Sequence, residues 1–263
     1  MNAVPVTDTL DHLRRTLAQI VPAGRSANAS GHSLSLRVAA IDDALDGGLA
    51  LGALHELAPA LPAHGGAAAG FALALAALAH TRSRQVLWIQ SAFARAEAGT
   101  LYGSGLDCFG LPMDRVLVLT VARASDVLWA MEEALKCSAV MAVIAEFTDD
   151  KRSTDLTAMR RLSLAARAGG GLGLLLRHRI SVAPSTAVTR WEVASALSLR
   201  DRFGGLGRTT FSLSLTKNRY GPCGRWVLPW DHHACVFLPA ALSLGVAETA
   251  CERSARSPFR RTG

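Results

Sequence analysis

Apolar positions recur with two different periods along this chain, and each period predicts its own elements. Leu10, Leu13, Leu17 and Ile20 return at three- and four-residue steps opposite Arg14 and Arg15, the stripe of an amphipathic helix capped by Thr7 or Asp8 and ended by Pro22 and Gly24. PAGRSANASGHS then forms a polar linker of small residues, so this helix reads as an appendage that docks on a partner or packs on its own domain. Further on, Ile41 to Leu45 predicts a short helix ending at Gly47-Gly48, Ala53 to Leu57 a strand, and GFALALAALA a buried helix. QVLWIQ is a continuous apolar run of the kind covered on both faces of a sheet. Helix Phe93 to Leu101, the turn-rich GSGLDCFGLPMD and strand Arg115 to Thr120 follow. ASDVLWAMEEALK is a helix with Ser125 as its cap, and Ala139 to Glu146 is a strand ending in an acid. Leu156 to Ala168 is a helix and Gly171 to Leu176 a strand.

Strands and helices in such regular alternation imply an α/β fold, a mostly parallel sheet flanked by helices. From Thr189 the texture becomes TRWEVASALSL, TTFSLSLTKNRYG and RWVLPW, alternating runs that predict antiparallel strands at the C-terminal edge. The predicted organisation is a helix and linker over 1–33, one domain over 34–240, and a basic, disordered tail over 241–263. Trp88, Trp129 and Trp191 fall within apolar periodic runs and are expected in the core.

The chain of 263 residues is half apolar, which suits a globular body, and its longest apolar stretch, Gly65 to Ala79, is too short and small-residued for a membrane span. The start lacks the charged and apolar regions of a secretory signal, and five scattered cysteines read as reduced thiols, so a cytoplasmic protein is expected. The net charge of +7 comes mostly from arginine, the only lysines being Lys136, Lys151 and Lys217. That balance favours a polyanion such as nucleic acid, or reflects a G+C-rich genome.

The candidate chemistry centres on Leu49 to His80, a strand, a small-residue loop and a helix. Gly65 and Gly70 keep the spacing of G-x-x-x-x-G-K-[ST], while Phe71 and Ala72 replace the lysine and the Ser/Thr. Without the ammonium that meets the β/γ-phosphates and the hydroxyl that ligates Mg²⁺, only amides around Gly65, Gly66 and Gly70 remain to hold an anion. Those glycines serve either that residual role or close packing of helix on strand. No catalytic group, cofactor or metal is expected. Asp231-His232-His233-Ala234-Cys235 with Cys223 lacks zinc-ligand spacing, and His55-Glu56 has no nucleophile at family spacing.

SLRVAAIDDALDGGLALGALHEL, RQVLWIQ, AVMAVIAEF and TTFSLSLTKNRYGPCGRWVL resemble segments of the RecA-type recombinase core. Within it, LGALHEL, FALALAALA, VLWIQ, LYGSGL, LWAMEEALK, LLLRHR and TRWEV resemble the ImuA family, RecA- and SulA-like proteins of bacterial mutagenesis cassettes. The resemblance implies a RecA-like core and an accessory role in DNA-damage-induced, error-prone translesion synthesis. Its implied partners are an inactive, ImuB-like Y-family polymerase homologue, an error-prone DNA polymerase III α-subunit, RecA, and single-stranded DNA. Where active recombinases carry a catalytic glutamate this chain reads Gln90-Ser91-Ala92, and Glu146 stands at the Walker-B position. Two rival functions are a DNA-stimulated ATPase that binds ATP through an atypical loop and a SulA-type inhibitor of cell division.

The DNA-binding loops of that core correspond here to Thr148 to Thr154 and to Arg177 to Arg190. Arg177, Arg179 and Arg190 flank a Ser/Thr/Pro stretch suited to a phosphate backbone, and Arg200, Arg202, Arg208, Lys217 and Arg219 form a second basic cluster. The alternative is a solvated basic face. Leu10, Leu13, Leu17 and Ile20 are the expected partner-binding residues. Leu13→Asp with Leu17→Asp is expected to abolish association with RecA in a pull-down, and unchanged capture would remove this helix from the interface.

Overall fold

Regular alternation of strand and helix resolves, in a computed structural model, into one twisted sheet with a helical layer on each face. The structure describes residues 33–81, 83–147, 156–180, 183–198, 200 and 204–239. The predicted helix with Leu10, Leu13, Leu17 and Ile20, the loop from Thr148 to Thr154, Arg202 and the C-terminal tail lie outside the described residues.

A two-stranded ribbon of β1 (Ser33–Leu34) and β2 (Leu49–Ala50) brackets the short helix α1 (Ala39–Ala44). The main sheet contains β3 (Ala53–Pro59), β4 (Gln85–Ser91), β5 (Val116–Val121), β6 (Val140–Phe147), β7 (Leu172–Arg177), β8 (Thr189–Ser195), β9 (Thr210–Asn218), β10 (Gly224–Asp231) and β11 (Val236–Phe237). Their spatial order is β11-β10-β9-β8-β3-β7-β6-β4-β5. From β8 to β5 all neighbours run parallel, and β9, β10 and β11 add antiparallel pairs at the other edge. This is the expected α/β architecture with one refinement. β8 had the alternating texture of an antiparallel strand, yet it is the sixth parallel strand, because its alternation reflects a covered face of Trp191 and Val193 and a polar face of Arg190 and Glu192.

Side chains alternate across the strands and divide the interior in two. Leu57, Trp88, Ile144, Leu174 and Trp191 face α2 (Gly65–Ala79). Leu54, Ile89, Val143, Leu175 and Phe147 face α5 (Ala124–Lys136) and α6 (Leu156–Gly169). Helix α2 is apolar all round and buried along most of its length, so although Pro62–Ala79 is long and apolar enough to cross a membrane, here it is a core helix.

Phe71 is the centre of that packing. It is fully buried, with ring centroids 5.7 Å from Trp191, 5.9 Å from Phe211 and 5.7 Å from Phe237. At the preceding residue, a Cβ on Gly70 would come within 3.2 Å of the Phe109 ring and 3.5 Å of Phe211, so the missing side chain lets the helix seat against both rings.

Four local expectations are corrected. GSGLDCFGLPMD contains the short helix α4 (Gly103–Cys108) and a 3-10 turn at Met113–Arg115, because burial of Leu106 and Leu111 overrides the weak propensity of Gly-Ser-Gly. Helix α3 (Ala92–Ala98) stops at Gly99, whose φ of 85° ends it short of Leu101. The N-cap of α5 is Arg123 rather than Ser125, whose hydroxyl instead donates to Asp126. Trp88 and Trp191 are in the core, whereas Trp129 is 63% exposed on the outer side of α5, opposite the buried Val127 and Met131. Phe71→Ala is expected to cost about 3–5 kcal/mol in urea unfolding. Phe71→Lys, which restores the phosphate-loop residue type, should cost more, since it places an ammonium among aromatic rings.

Candidate functional site

A cleft of about 530 Å³ opens at the C-terminal ends of β3, β4, β6 and β7, beside the start of α2. This is where a parallel sheet of this type presents its ligands. Helix α2 begins at the first glycine of the motif, preceded by a 3-10 turn at Pro62–His64. The residues that would wrap a phosphate are therefore already helical, and their amides are committed to the helix beyond its first turn. Gly65 and Gly66 face open space at the rim, Gly70 is closed in against Phe109 and Phe211, and Phe71 and Ala72 are fully buried. These residues do not fit a Mg²⁺-bound triphosphate.

Polar groups do converge on the cleft floor. Gln90 ends β4 and Glu146 lies on the neighbouring β6, facing the same side of the sheet. Gln90 is buried, and its Nε2 has no hydrogen-bond partner. Burial raises the Glu146 carboxyl above its ordinary range, opposed by His178, whose Nε2 is 3.5 Å away, and by the indole of Trp88. Among the described residues that line the cleft there is no lysine, and the glutamine cannot accept a proton from an attacking water as a carboxylate would.

The opposite face of the same sheet holds a charge cluster of Glu56, Arg177 and Arg190. Glu56, 1% exposed, accepts from Arg177 Nη2 at 3.0 Å and Nε at 3.2 Å through Oε1, and from Arg190 Nε at 2.8 Å through Oε2. Arg177 is itself 4% exposed. Arg177 and Arg190, expected at a DNA backbone, are thus corrected to interior partners of one carboxylate that is registered between β7 and β8. Lys217 is half-buried and donates to Ser185 O at 2.5 Å; burial and then the neighbouring Arg190 lower its pKa. Arg190 also donates to Ala183 O, and Thr186 to Met159 O, so the crossover from β7 to β8 is strapped to the core.

Next to Glu56, His55 points to the α2 face and is fully buried. Trp191 Nε1 donates to Thr189 Oγ1 at 2.9 Å, leaving the Thr189 hydroxyl to donate to His55 Nδ1 at 2.8 Å, while His55 Nε2–H donates to Ala50 O at 2.9 Å. A neutral imidazole with its proton on Nε2 satisfies both ring nitrogens in this relay.

No family model matches the sequence. Over 196 residues, 69% of this chain and 76% of the relative, it is 32% identical to Protein ImuA of Caulobacter vibrioides, equally in strain NA1000/CB15N and in strain ATCC 19089/CIP 103742/CB 15. This chain belongs to the ImuA family. Among solved structures, the RadB recombinase superposes with a TM-score of 0.51 at 14% identity, covering 76% of this chain and 96% of that one, a likeness of fold. The RecA-like core expected of an ImuA protein is therefore present, and its phosphate loop has been absorbed into a helix.

Of the remaining basic residues, Arg179, Arg200 and Arg219 are exposed, Arg208 is exposed and lies 3.1 Å from Asp231, and Arg219 stacks over Tyr220 at 5.9 Å. Among the described residues no three His, Cys, Asp or Glu side chains converge on a metal position. Asp231 caps the turn after β10 by accepting from the His233 and Ala234 amides, and His232 bonds to Cys108 O and Thr209. The sequence singles out His55-Glu56, two polar residues inside the otherwise apolar LHEL, but not their partners Thr189, Arg177 and Arg190, which lie 121 to 134 residues away in the chain.

Burial lowers the His55 pKa from 6.5 to about 4, against the opposing pull of Ala50 O. Between those values the unfolded chain binds a proton that the folded protein refuses. Stability from this group is whole above about pH 6.5 and is lost as pH falls toward about 4, a decline of about 3 kcal/mol. Urea titrations across that interval are expected to show the decline, and His55→Leu should flatten it while lowering stability at neutral pH.

Proposed function

We propose that this ImuA-family chain is a non-catalytic, RecA-like accessory protein of DNA-damage-induced, error-prone translesion synthesis in the cytoplasm, working without bound nucleotide. The observation that carries the non-catalytic reading is the start of α2 at Gly65, with Phe71 locked among Trp191, Phe211 and Phe237. A chain that cannot grip a triphosphate retains its surface as its means of action. Its partners on this reading are an inactive Y-family polymerase homologue, an error-prone DNA polymerase III α-subunit and RecA, the last engaged by Leu10, Leu13, Leu17 and Ile20 of the N-terminal helix.

Single-stranded DNA contact falls to the exposed Arg179, Arg200, Arg208 and Arg219, with Arg202 of the same sequence cluster and Lys217 at its margin. Arg177 and Arg190 support this surface from beneath by holding the crossover in place through Glu56. Such contact is electrostatic, so affinity for a labelled oligonucleotide should fall with salt on a log–log slope of about −2 if roughly three phosphates are neutralised. Arg179→Ala with Arg219→Ala should flatten that slope. Purified protein is expected to release no phosphate from ATP above the blank, with or without DNA. Turnover that disappears in Glu146→Gln would overturn the accessory reading in favour of an ATPase, and salt-independent DNA binding would remove the basic surface from it.

A further inference from the structure

The cleft at the ends of β3, β4, β6 and β7 keeps the build of a small-molecule site although its phosphate loop is helical. Its volume of about 530 Å³ falls within the range of about 300–1,000 Å³ that such sites occupy. The walls are apolar and made largely of short side chains, among them Pro59, Pro62, Ala68, Ala69 and Leu101. On the floor, β4 and β6 run side by side about 4.8 Å apart with Ile89 opposite Ala145, so the next residues, Gln90 and Glu146, stand abreast on the cleft side. Gln90 is 1% exposed, and its Nε2 finds no hydrogen-bond partner among the described residues, the Glu146 carboxyl beside it included. A buried amide left unpaired is costly, and an acceptor delivered from the cleft removes that cost.

The neighbouring groups decide what can deliver it. An anion would be brought against Glu146, and with Phe71 and Ala72 at the motif positions no ammonium on α2 offsets that repulsion. A cation would meet Arg179 at the rim and the His178 ring, whose Nε2 already lies 3.5 Å from Glu146. A neutral ligand avoids both conflicts. It has to accept from Gln90 and donate to Glu146 through adjacent atoms, because the two side chains come from adjacent strands. We infer that the cleft binds the keto–imino edge of a nucleobase such as thymine or guanine, its C=O accepting from Gln90 Nε2 and its ring N–H donating to the Glu146 carboxylate. The flat ring then lies between the apolar walls. Adenine and cytosine carry an amino group and an unprotonated ring nitrogen along the same edge, which sets donor against donor and acceptor against acceptor. No phosphate is needed, so this site does not depend on the phosphate loop. Two sources present such an edge, a free nucleoside and a base of single-stranded DNA.

Isothermal titration calorimetry of the full-length chain at pH 8 is expected to show binding of thymidine. Deoxycytidine, and 3-methylthymidine, which lacks the ring N–H, should bind weaker by about tenfold or more. This comparison uses the unaltered chain and so does not depend on any variant folding. Gln90→Leu should weaken thymidine binding by a similar factor, whereas Trp129→Ala, on the outer side of α5, should leave it unchanged. Labelled oligothymidine and oligodeoxycytidine strands of equal length separate the two sources. Preference for the thymidine strand assigns the edge to a DNA base, and thymidine binding with equal strand affinities assigns it to a free nucleoside; either result upholds the proposal. Calorimetric silence with thymidine and guanosine together with equal strand affinities would overturn it, as would equal binding of 3-methylthymidine. So would tighter binding of thymidine triphosphate than of thymidine, which would put phosphates in the cleft. None of these outcomes involves ATP turnover, which tests the accessory reading separately.

Discussion

Burial of one aromatic ring decides how the phosphate-loop segment of this RecA-like fold is packed. A phosphate loop depends on a stretch of backbone that stays out of the helix long enough to turn its amides toward an anion, with a lysine projecting alongside. Here the helix begins at Gly65, and the residue in the lysine's place packs among Trp191, Phe211 and Phe237 beneath the last strands. The antiparallel extension of β9, β10 and β11 contributes Phe211 and Phe237 directly. Residues distant in sequence are thereby bound into the same core as the motif, and the gain in apolar burial replaces the electrostatic machinery at the same position.

The charged residues follow a comparable division of labour. Glu56 lies inside the sheet, and a carboxylate there is tolerable only with hydrogen-bonded cations around it. Arg177 and Arg190 supply them, and by doing so tie β3, β7, β8 and the crossover between them into one unit. Arg179, Arg200, Arg208 and Arg219 are left exposed at the surface. The basic stretch read from the sequence as one surface is therefore two layers, an inner one that fixes the shape of a loop and an outer one that presents charge.

Neutral His55 and buried Glu146 show the cost of a polar residue inside such a core from two sides. His55 is satisfied at both nitrogens and resists protonation, whereas Glu146, with His178 and Trp88 beside it among the described residues, resists losing its proton. The first closes a relay between β2, β3 and β8. The second marks the floor of a cleft beside which Phe71 and Ala72 stand at the motif positions of a lysine and a hydroxyl.

The order of strands and helices was legible in the amino-acid sequence, because buried strands and amphipathic helices leave periodic apolar patterns that need no distant partner to be recognised. The loss of the lysine and hydroxyl at positions 71 and 72 was equally plain. Tertiary structure alone decided that α2 starts at Gly65, that Gly70 packs on Phe109 and Phe211, and that β8 runs parallel to β3. It also decided which arginines face inward, since a guanidinium's direction depends on a carboxylate more than a hundred residues away in the chain. Trp129 shows the same limit from the other side: an apolar residue within an amphipathic helix is placed by the angle of its Cβ, and here that angle points to solvent.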